Sequence, residues 1–215
     1  MTVTPAPTDR RRRRTVAAIL DAAERLFGQL GYRAATVEAI AREADVAIGS
    51  IYFNFKGGKR DIYLALAERA VAINEAAMAA ARDEQAGALD QLAALGDAYV
   101  RFHLEHPLAL RLVGLRDLDG PSDPRLDGVR KDIAKRLKVM MNDIRGVIAR
   151  AVDEGDAPAG TDPEAAAAFF WGAWNGTLAL HARGLLTRRQ LDAALATGRA
   201  LLLAGISGGR SPSAP

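Results

Sequence analysis

The chain has 215 residues, 49% of them hydrophobic and 26% charged, which is enough apolar sequence for a large core and too much for global disorder. The absence of cysteine excludes disulfides, thiolate metal sites and cysteine nucleophiles, and no apolar run approaches the roughly 18 residues a membrane span needs. The net charge of +3 is unevenly placed: eleven Lys and Arg oppose seven Asp and Glu through Leu66, whereas 18 oppose 19 in the remainder.

The positive field therefore belongs to the front third, the footprint expected for a phosphate-backbone partner. Residues 1–14 are expected to form a disordered arm: Met1 to Asp9 holds two prolines and no periodicity, and Arg10 to Arg14 follows at once. Arg12, Arg13 and Arg14 are candidates for neutralising phosphates or entering a narrow, negative minor groove; the alternative is a solvated charge run. An amphipathic helical pattern follows the arginines rather than an apolar leader segment. A soluble, cytoplasmic protein with no membrane partner is expected.

From Thr15 to Leu30, Ile19, Ala22, Ala23, Leu26, Phe27 and Leu30 recur at helical spacing, and Gly31 supplies a stop. Thr36 suits an N-cap, with Glu38 in the first turn. Ile40, Ala41 and Ala44 form a short apolar stripe, and Asp45 sits where a left-handed backbone is needed. Val46 and Ile51 would anchor a second short helix on the first, leaving Ile48, Ser50, Tyr52 and Asn54 for a DNA groove. This spacing is that of a helix-turn-helix. Tyr52, Phe53 and Phe55 are three of twelve aromatics within four positions. Core is the plain reading for them, except that Tyr52 can also place its hydroxyl on a phosphate. After Gly57-Gly58, Lys59 and Arg60 open a helix at the end of the dipole that disfavours cations, a conflict a bound phosphate would resolve. Gly58-Lys59 is not a P-loop, because Phe53 and Arg60 stand where that motif needs Gly and Ser/Thr.

The stretch VAIGSIYFNFKGGKRDIY resembles the signature of the TetR family of one-component bacterial transcriptional regulators. Val46, Gly49, Ser50, Ile51, Tyr52, Phe55 and Lys59 carry the match. The motif resemblance covers about residues 15–66. Three positions depart from the family pattern. Ala47 stands where Ser or Thr usually caps the recognition helix, Ile48 replaces a commonly polar residue, and Asp45 replaces a frequent glycine. Ile48 suggests apolar contact with a thymine methyl. The DNA-contact set is then Arg12, Arg13, Arg14, Thr36, Ala47, Ile48, Ser50, Tyr52, Asn54 and Lys59.

Residues 67–207 read as a neutral helical body, with breaks at Pro107, at Gly120 to Pro124 and at Gly155 to Asp162. One stripe runs Val129, Ile133, Leu137, Met140, Met141, Ile144, Ile148 and Val152, marking a long amphipathic helix. In Ala165 to Leu185, the residues Phe170, Trp171, Trp174, Leu178, His181 and Leu185 fall within about a 100° arc. Ala165, Ala168, Gly172, Gly176 and Ala179 lie opposite. Both faces are expected to be buried, one of them against a partner subunit and the other inward. With Leu191 to Ile206 the pair resembles the family's four-helix dimer interface. Candidate lining for an apolar pocket is Phe102, Met140, Met141, Phe170, Trp171 and Trp174, with His103, Asn175 or His181 as polar handles. His103 and His106 share a helix face but lack a third ligand, no catalytic constellation declares itself, and no cofactor is called for. Residues 208–215 are expected to be a disordered tail.

The expectation is an all-α chain of about nine helices, an N-terminal helix-turn-helix three-helix domain (15–66) plus a C-terminal helical bundle for ligand binding and dimerisation. By resemblance it is a homodimeric repressor of a palindromic double-stranded operator, released by a small hydrophobic or amphipathic effector. Two alternatives stay open: a ligand-independent DNA-binding protein, and an all-α small-molecule carrier or enzyme.

Overall fold

The computed structural model describes residues 7–83, 85–115, 117–118 and 124–207. Among these the chain is all-α, without strands. Its helices are α1 (Pro7–Ala34), α2 (Val37–Glu43), α3 (Ile48–Asn54), α4 (Lys59–Ala80), α5 (Ala88–Glu105), α6 (Ala109–Val113), α7 (Pro124–Asp153), α8 (Pro163–Ala182) and α9 (Arg188–Ser207). The chain divides into two compact units, Met1–Val71 with Arg111–Lys131, and Ala72–Leu110 with Asp132–Pro215. The first unit thus runs further into α4 than the Leu66 suggested by sequence, and it recruits residues from far along the chain. Residues 1–6 and 208–215, expected as tails, and residues 120–123 of the GPSDP break lie outside the described residues.

In the first unit, α1 starts at Pro7, so Arg10 to Arg14 are helical rather than part of an unstructured arm. Asp9 in the first turn suits the dipole and pairs with Arg13 one turn on. Gly31 breaks α1 at φ 78°, the stop expected there. Thr36 caps α2, its Oγ1 accepting the Ala39 N–H at 3.1 Å, whereas Ala47 gives α3 no side-chain cap. Asp45 takes the left-handed turn position, φ 52°. Ile19, Ala22, Ala23, Phe27, Ile40, Ala41, Ile51 and Phe55 are all buried, so α2 and α3 hang from α1 by apolar burial.

The first turn of α4 resolves its charge conflict internally. Lys59 Nζ donates to the carbonyls of Tyr32 (2.8 Å), Arg33 (3.2 Å) and Ala35 (2.8 Å), and sits 4.6 Å from the Tyr32 ring centroid. The carbonyls ending α1 want a cation, and Lys59 supplies it with all three of its donors. In this structure all three of its donors are thus engaged by the chain, and the ammonium serves as a cap for α1. Burial also lowers its pKa from the usual lysine value. Asp61, buried, gives α4 its negative charge, accepting the Gly57 N–H at 2.7 Å and pairing with Arg125 at 2.8 Å. Tyr63 donates to Asp117 Oδ2 at 2.9 Å, and burial raises its pKa. These contacts bind residues 111–131 to the start of α4.

In the second unit, Tyr99 organises an aromatic cluster with His103 (4.4 Å between centroids), Trp171 (4.7 Å) and Trp174 (5.9 Å). Its hydroxyl donates to Asn175 Oδ1 at 2.9 Å, and Asn175 Nδ2 donates to the Trp171 carbonyl at 2.8 Å. From the α7 stripe, Ile133, Met140, Ile144 and Ile148 are buried. Asp162 caps α8 ahead of Pro163. The boundary expected for α8 needs correction. The helix ends at Ala182, so Leu185 lies beyond it, exposed. The small face is also open in the single chain: Ala165, Ala168, Gly172 and Gly176 are exposed, and only Ala179 is half-buried. Among the described residues no helix is long and apolar enough to cross a membrane.

Replacing Lys59 with Met should lower stability by about 2–3 kcal/mol in urea unfolding, the cost of orphaning carbonyls that held a charged donor. The salt dependence of DNA binding should not change, and a flattened slope would return Lys59 to the phosphates. Burial depresses the His103 pKa from 6.5 to about 4, against the opposing hydrogen bond of its Nδ1 with the Tyr99 carbonyl. Between those two values the unfolded chain binds the extra proton. His103 therefore leaves stability untouched above pH 6.5 and removes up to about 3 kcal/mol as pH falls to 4. His103→Gln should flatten that limb of the stability–pH curve.

Candidate nucleic-acid interface and ligand cavity

Ile51 and Phe55, one turn apart and buried, fix the inner face of α3 and its cap. The outer face then holds Ala47, Ile48, Gly49, Tyr52 and Phe53, all exposed. Of the expected DNA contacts, Ala47, Ile48 and Tyr52 lie here, and Ser50 and Asn54 are half-buried at its edge. Asn54 is committed at both ends of its amide. Its Nδ2 donates to the Ser50 carbonyl (2.8 Å) and its Oδ1 accepts from Arg12 Nε (3.1 Å). Arg12 thus ties α1 to the end of α3. Arg13 pairs with Asp9, and Arg14 is exposed. The Tyr52 ring lies over Gly58, where a Cβ would come within 3.3 Å of it. Gly58 also has φ +59°, a conformation that favours glycine, and the ring would have to give way by a few tenths of an ångström for any larger residue. Phe53, expected in the core, is instead 74% exposed. The signal was present in the sequence: once Ile51 and Phe55 point inward, helical phase turns Phe53 outward.

The second unit contains a cavity of about 710 Å³ between α5, α8 and α9. Leu92, Val100 and Leu104 of α5, Phe170 and Trp174 of α8 and Leu195 of α9 give it apolar walls. Charged side chains also line it: Arg199 pairs with Asp97 at 3.2 Å, Arg188 with Asp192 at 2.9 Å, and Arg101 has no acidic partner among the described residues. Gly96 is the tight point, since a Cβ there would stand 2.6 Å from Trp174 Cζ2.

Only Phe170 and Trp174 of the expected lining face this cavity. Trp171 packs against Tyr99, and Phe102 is buried against His103 and His106. Met140 is buried and Met141 half-buried on α7, away from the cavity. The polar handles serve the scaffold instead. Asn175 and His103 are bonded to the Tyr99 network, and His181 Nδ1 lies 2.8 Å from the Leu186 carbonyl in the turn after α8. The reason is phase. Phe170, Ala173, Trp174 and Thr177 form the cavity stripe of α8 at i, i+3, i+4 and i+7, which leaves Trp171 and Asn175 on the neighbouring face. Among the described residues no group of three His, Asp or Glu side chains could hold a metal ion.

Residues 19–66 match the family described as bacterial regulatory proteins, tetR family, and residues 120–197 match the Tetracyclin repressor-like C-terminal domain. No curated protein is significantly similar in sequence. Among solved structures, FadR of Bacillus subtilis, a transcriptional regulator in complex with stearoyl-CoA, is 25% identical with a TM-score of 0.67, over 88% of this chain and 98% of that one. A tetR-family regulatory protein from Rhodococcus RHA1 is 24% identical with a TM-score of 0.71, over 89% and 96%. The fatty acid degradation regulator FadR from Bacillus halodurans is 20% identical with a TM-score of 0.70, over 94% and 98%. The capped α2, the left-handed turn at Asp45 and the outward α3 fall within the first family match, and the cavity helix α8 within the second. The chain accordingly belongs to the TetR family of bacterial regulatory proteins, which are DNA-binding regulators rather than enzymes.

Proposed function

We propose that the protein is a cytoplasmic homodimeric repressor, released from a palindromic operator by an amphipathic acyl compound with an anionic head, of which a long-chain acyl-CoA is the type. The observation that carries this reading is the α5–α8–α9 cavity, whose apolar walls suit a hydrocarbon chain while Arg101, without an acidic partner among the described residues, offers a cation to an anionic head. The stearoyl-CoA bound by the Bacillus subtilis relative supports the same ligand class. Two copies of α3 would enter successive major grooves about 34–36 Å apart. An effector that prefers the DNA-incompetent arrangement by about 1–3 kcal/mol is sufficient for release. Helix α4 is the natural carrier of the change, because its residues belong to both units.

Exposure on α8 supports the dimer. Phe169 is 66% exposed, beside the open small residues Ala165, Ala168, Gly172 and Gly176. Small residues allow two helices to approach closely, and a helix that is apolar all round needs cover on every side.

Titrating an operator complex with acyl-CoAs of increasing chain length should release the DNA, whereas CoA alone should not. An operator affinity unmoved by every ligand that binds would favour the ligand-independent alternative. Gly96→Ala pushes on the Trp174 indole at the cavity wall. It should raise the acyl-CoA concentration needed for release about tenfold, equivalent to about 1.4 kcal/mol, and leave operator affinity without ligand unchanged. Gly172→Glu should give a monomer in sedimentation and lose operator binding, and a stable dimer would move the interface elsewhere.

A further inference from the structure

We infer that the protein reads its operator mainly through the 5-methyl groups of thymine, with Phe53 and Ile48 as the reading side chains. The inference rests on the reading that α3 enters the major groove. Direct hydrogen-bond readout of a purine uses Arg or Lys on guanine and Asn or Gln on adenine. Helix α3 has no Arg, Lys or Gln, and both ends of its single Asn, Asn54, are taken by Arg12 and the Ser50 carbonyl. The Ser50 and Tyr52 hydroxyls are its remaining polar side-chain groups.

What α3 does offer outward is apolar area. Phe53 is 74% exposed, Tyr52 48% and Ile48 43%, in a unit whose Ile19, Ile40, Ile51 and Ile62 are fully buried. The only apolar feature on a major-groove base edge is the thymine methyl. Against a phenyl ring or an isoleucine, the thymine methyl adds buried apolar area that a G·C edge does not offer, so these residues favour thymine.

Gly49 is a second, independent observation. A Cβ built there meets nothing within 4 Å, so no packing inside the chain requires glycine. Glycine is nevertheless a poorer helix former than alanine. On the outward face, next to Ile48 and one turn before Phe53, the missing Cβ lets the backbone come close to the bases. Affinity is then left to the phosphates and to cations such as the exposed Arg14 and Lys56.

The test uses the full chain and an operator recovered from random duplexes by repeated selection, in which thymines are replaced one at a time by deoxyuridine. That change deletes a methyl and keeps every base pair and phosphate. Affinity should drop about fourfold at each thymine opposite α3, the factor for burying one methyl group, with an unchanged salt slope. Phe53→Ala should abolish the thymine–deoxyuridine difference at one such position and Ile48→Ala at another, while Phe53→Leu keeps it. Because these side chains are exposed, the variants should unfold at the parent's denaturant midpoint. Gly49→Ala should weaken operator binding at least about tenfold without loss of stability. An operator insensitive to deoxyuridine, or a Phe53→Ala protein that still discriminates, overturns the inference alone. A pool that never rises above random DNA overturns the operator-binding reading as well.

Discussion

The first turn of α4 is where the first unit is held together, and it works because two opposite charges two residues apart serve different helices. Lys59 reaches back to the carbonyls that end α1, and Asp61 accepts the Gly57 N–H before α4 and pairs with Arg125. Each charge sits where a helix dipole favours its sign. A Cβ at Gly57 would overlap Asp61 Oδ1, so any larger residue there would displace the carboxylate from these contacts. The orientation of α1 against α4, and so the platform that carries α2 and α3, follows from these contacts. A lysine that looks available for DNA in the sequence is spent on architecture.

The same substitution of roles runs through the second unit. Asn175 and His103 are polar groups in an apolar body, which invites a ligand-binding reading. Yet a buried tyrosine hydroxyl needs a partner, and Tyr99 takes Asn175. His103 answers the Tyr99 carbonyl and stays neutral through burial. Polar atoms this deep are satisfied by the fold first. The charged groups on the cavity lining lie instead on exposed positions of α5 and α9, where arginine stays hydrated.

How much was legible in the sequence depended on the range of the interaction. The Thr36 cap, the left-handed Asp45, the Gly31 stop and the inward Ile51 and Phe55 are all decided within a few residues, and local chemistry identifies each of them. The capping role of Lys59 was not legible because its acceptors are backbone carbonyls 24 to 27 residues earlier, which no side-chain pattern records. The cavity lining was legible only at Phe170 and Trp174, for a related reason. Composition marks Phe170, Trp171 and Trp174 as bulky, but only the placement of α5 and α9 tells Trp174, which faces the cavity, from Trp171, which packs against Tyr99. Phe53 is the intermediate case, since its phase is local but its aromatic character suggested core.

On the proposed reading, the chemistry of α3 also bears on how the switch can work. Contacts from arginines to phosphates are shared by all DNA and fall steeply with salt, whereas apolar contacts to thymine methyls are modest, sequence-bound and nearly independent of salt. A helix with few hydrogen bonds to base edges leaves few buried polar groups unpaired when it shifts. Displacing it therefore costs mainly lost apolar contact and lost phosphate register. That cost falls twice in a symmetric dimer, once at each half-site. A coupling of about 1–3 kcal/mol from the effector, a factor of about 5 to 150 in affinity, can then separate bound from free only where the operator is held with no large excess of affinity over the protein's working concentration.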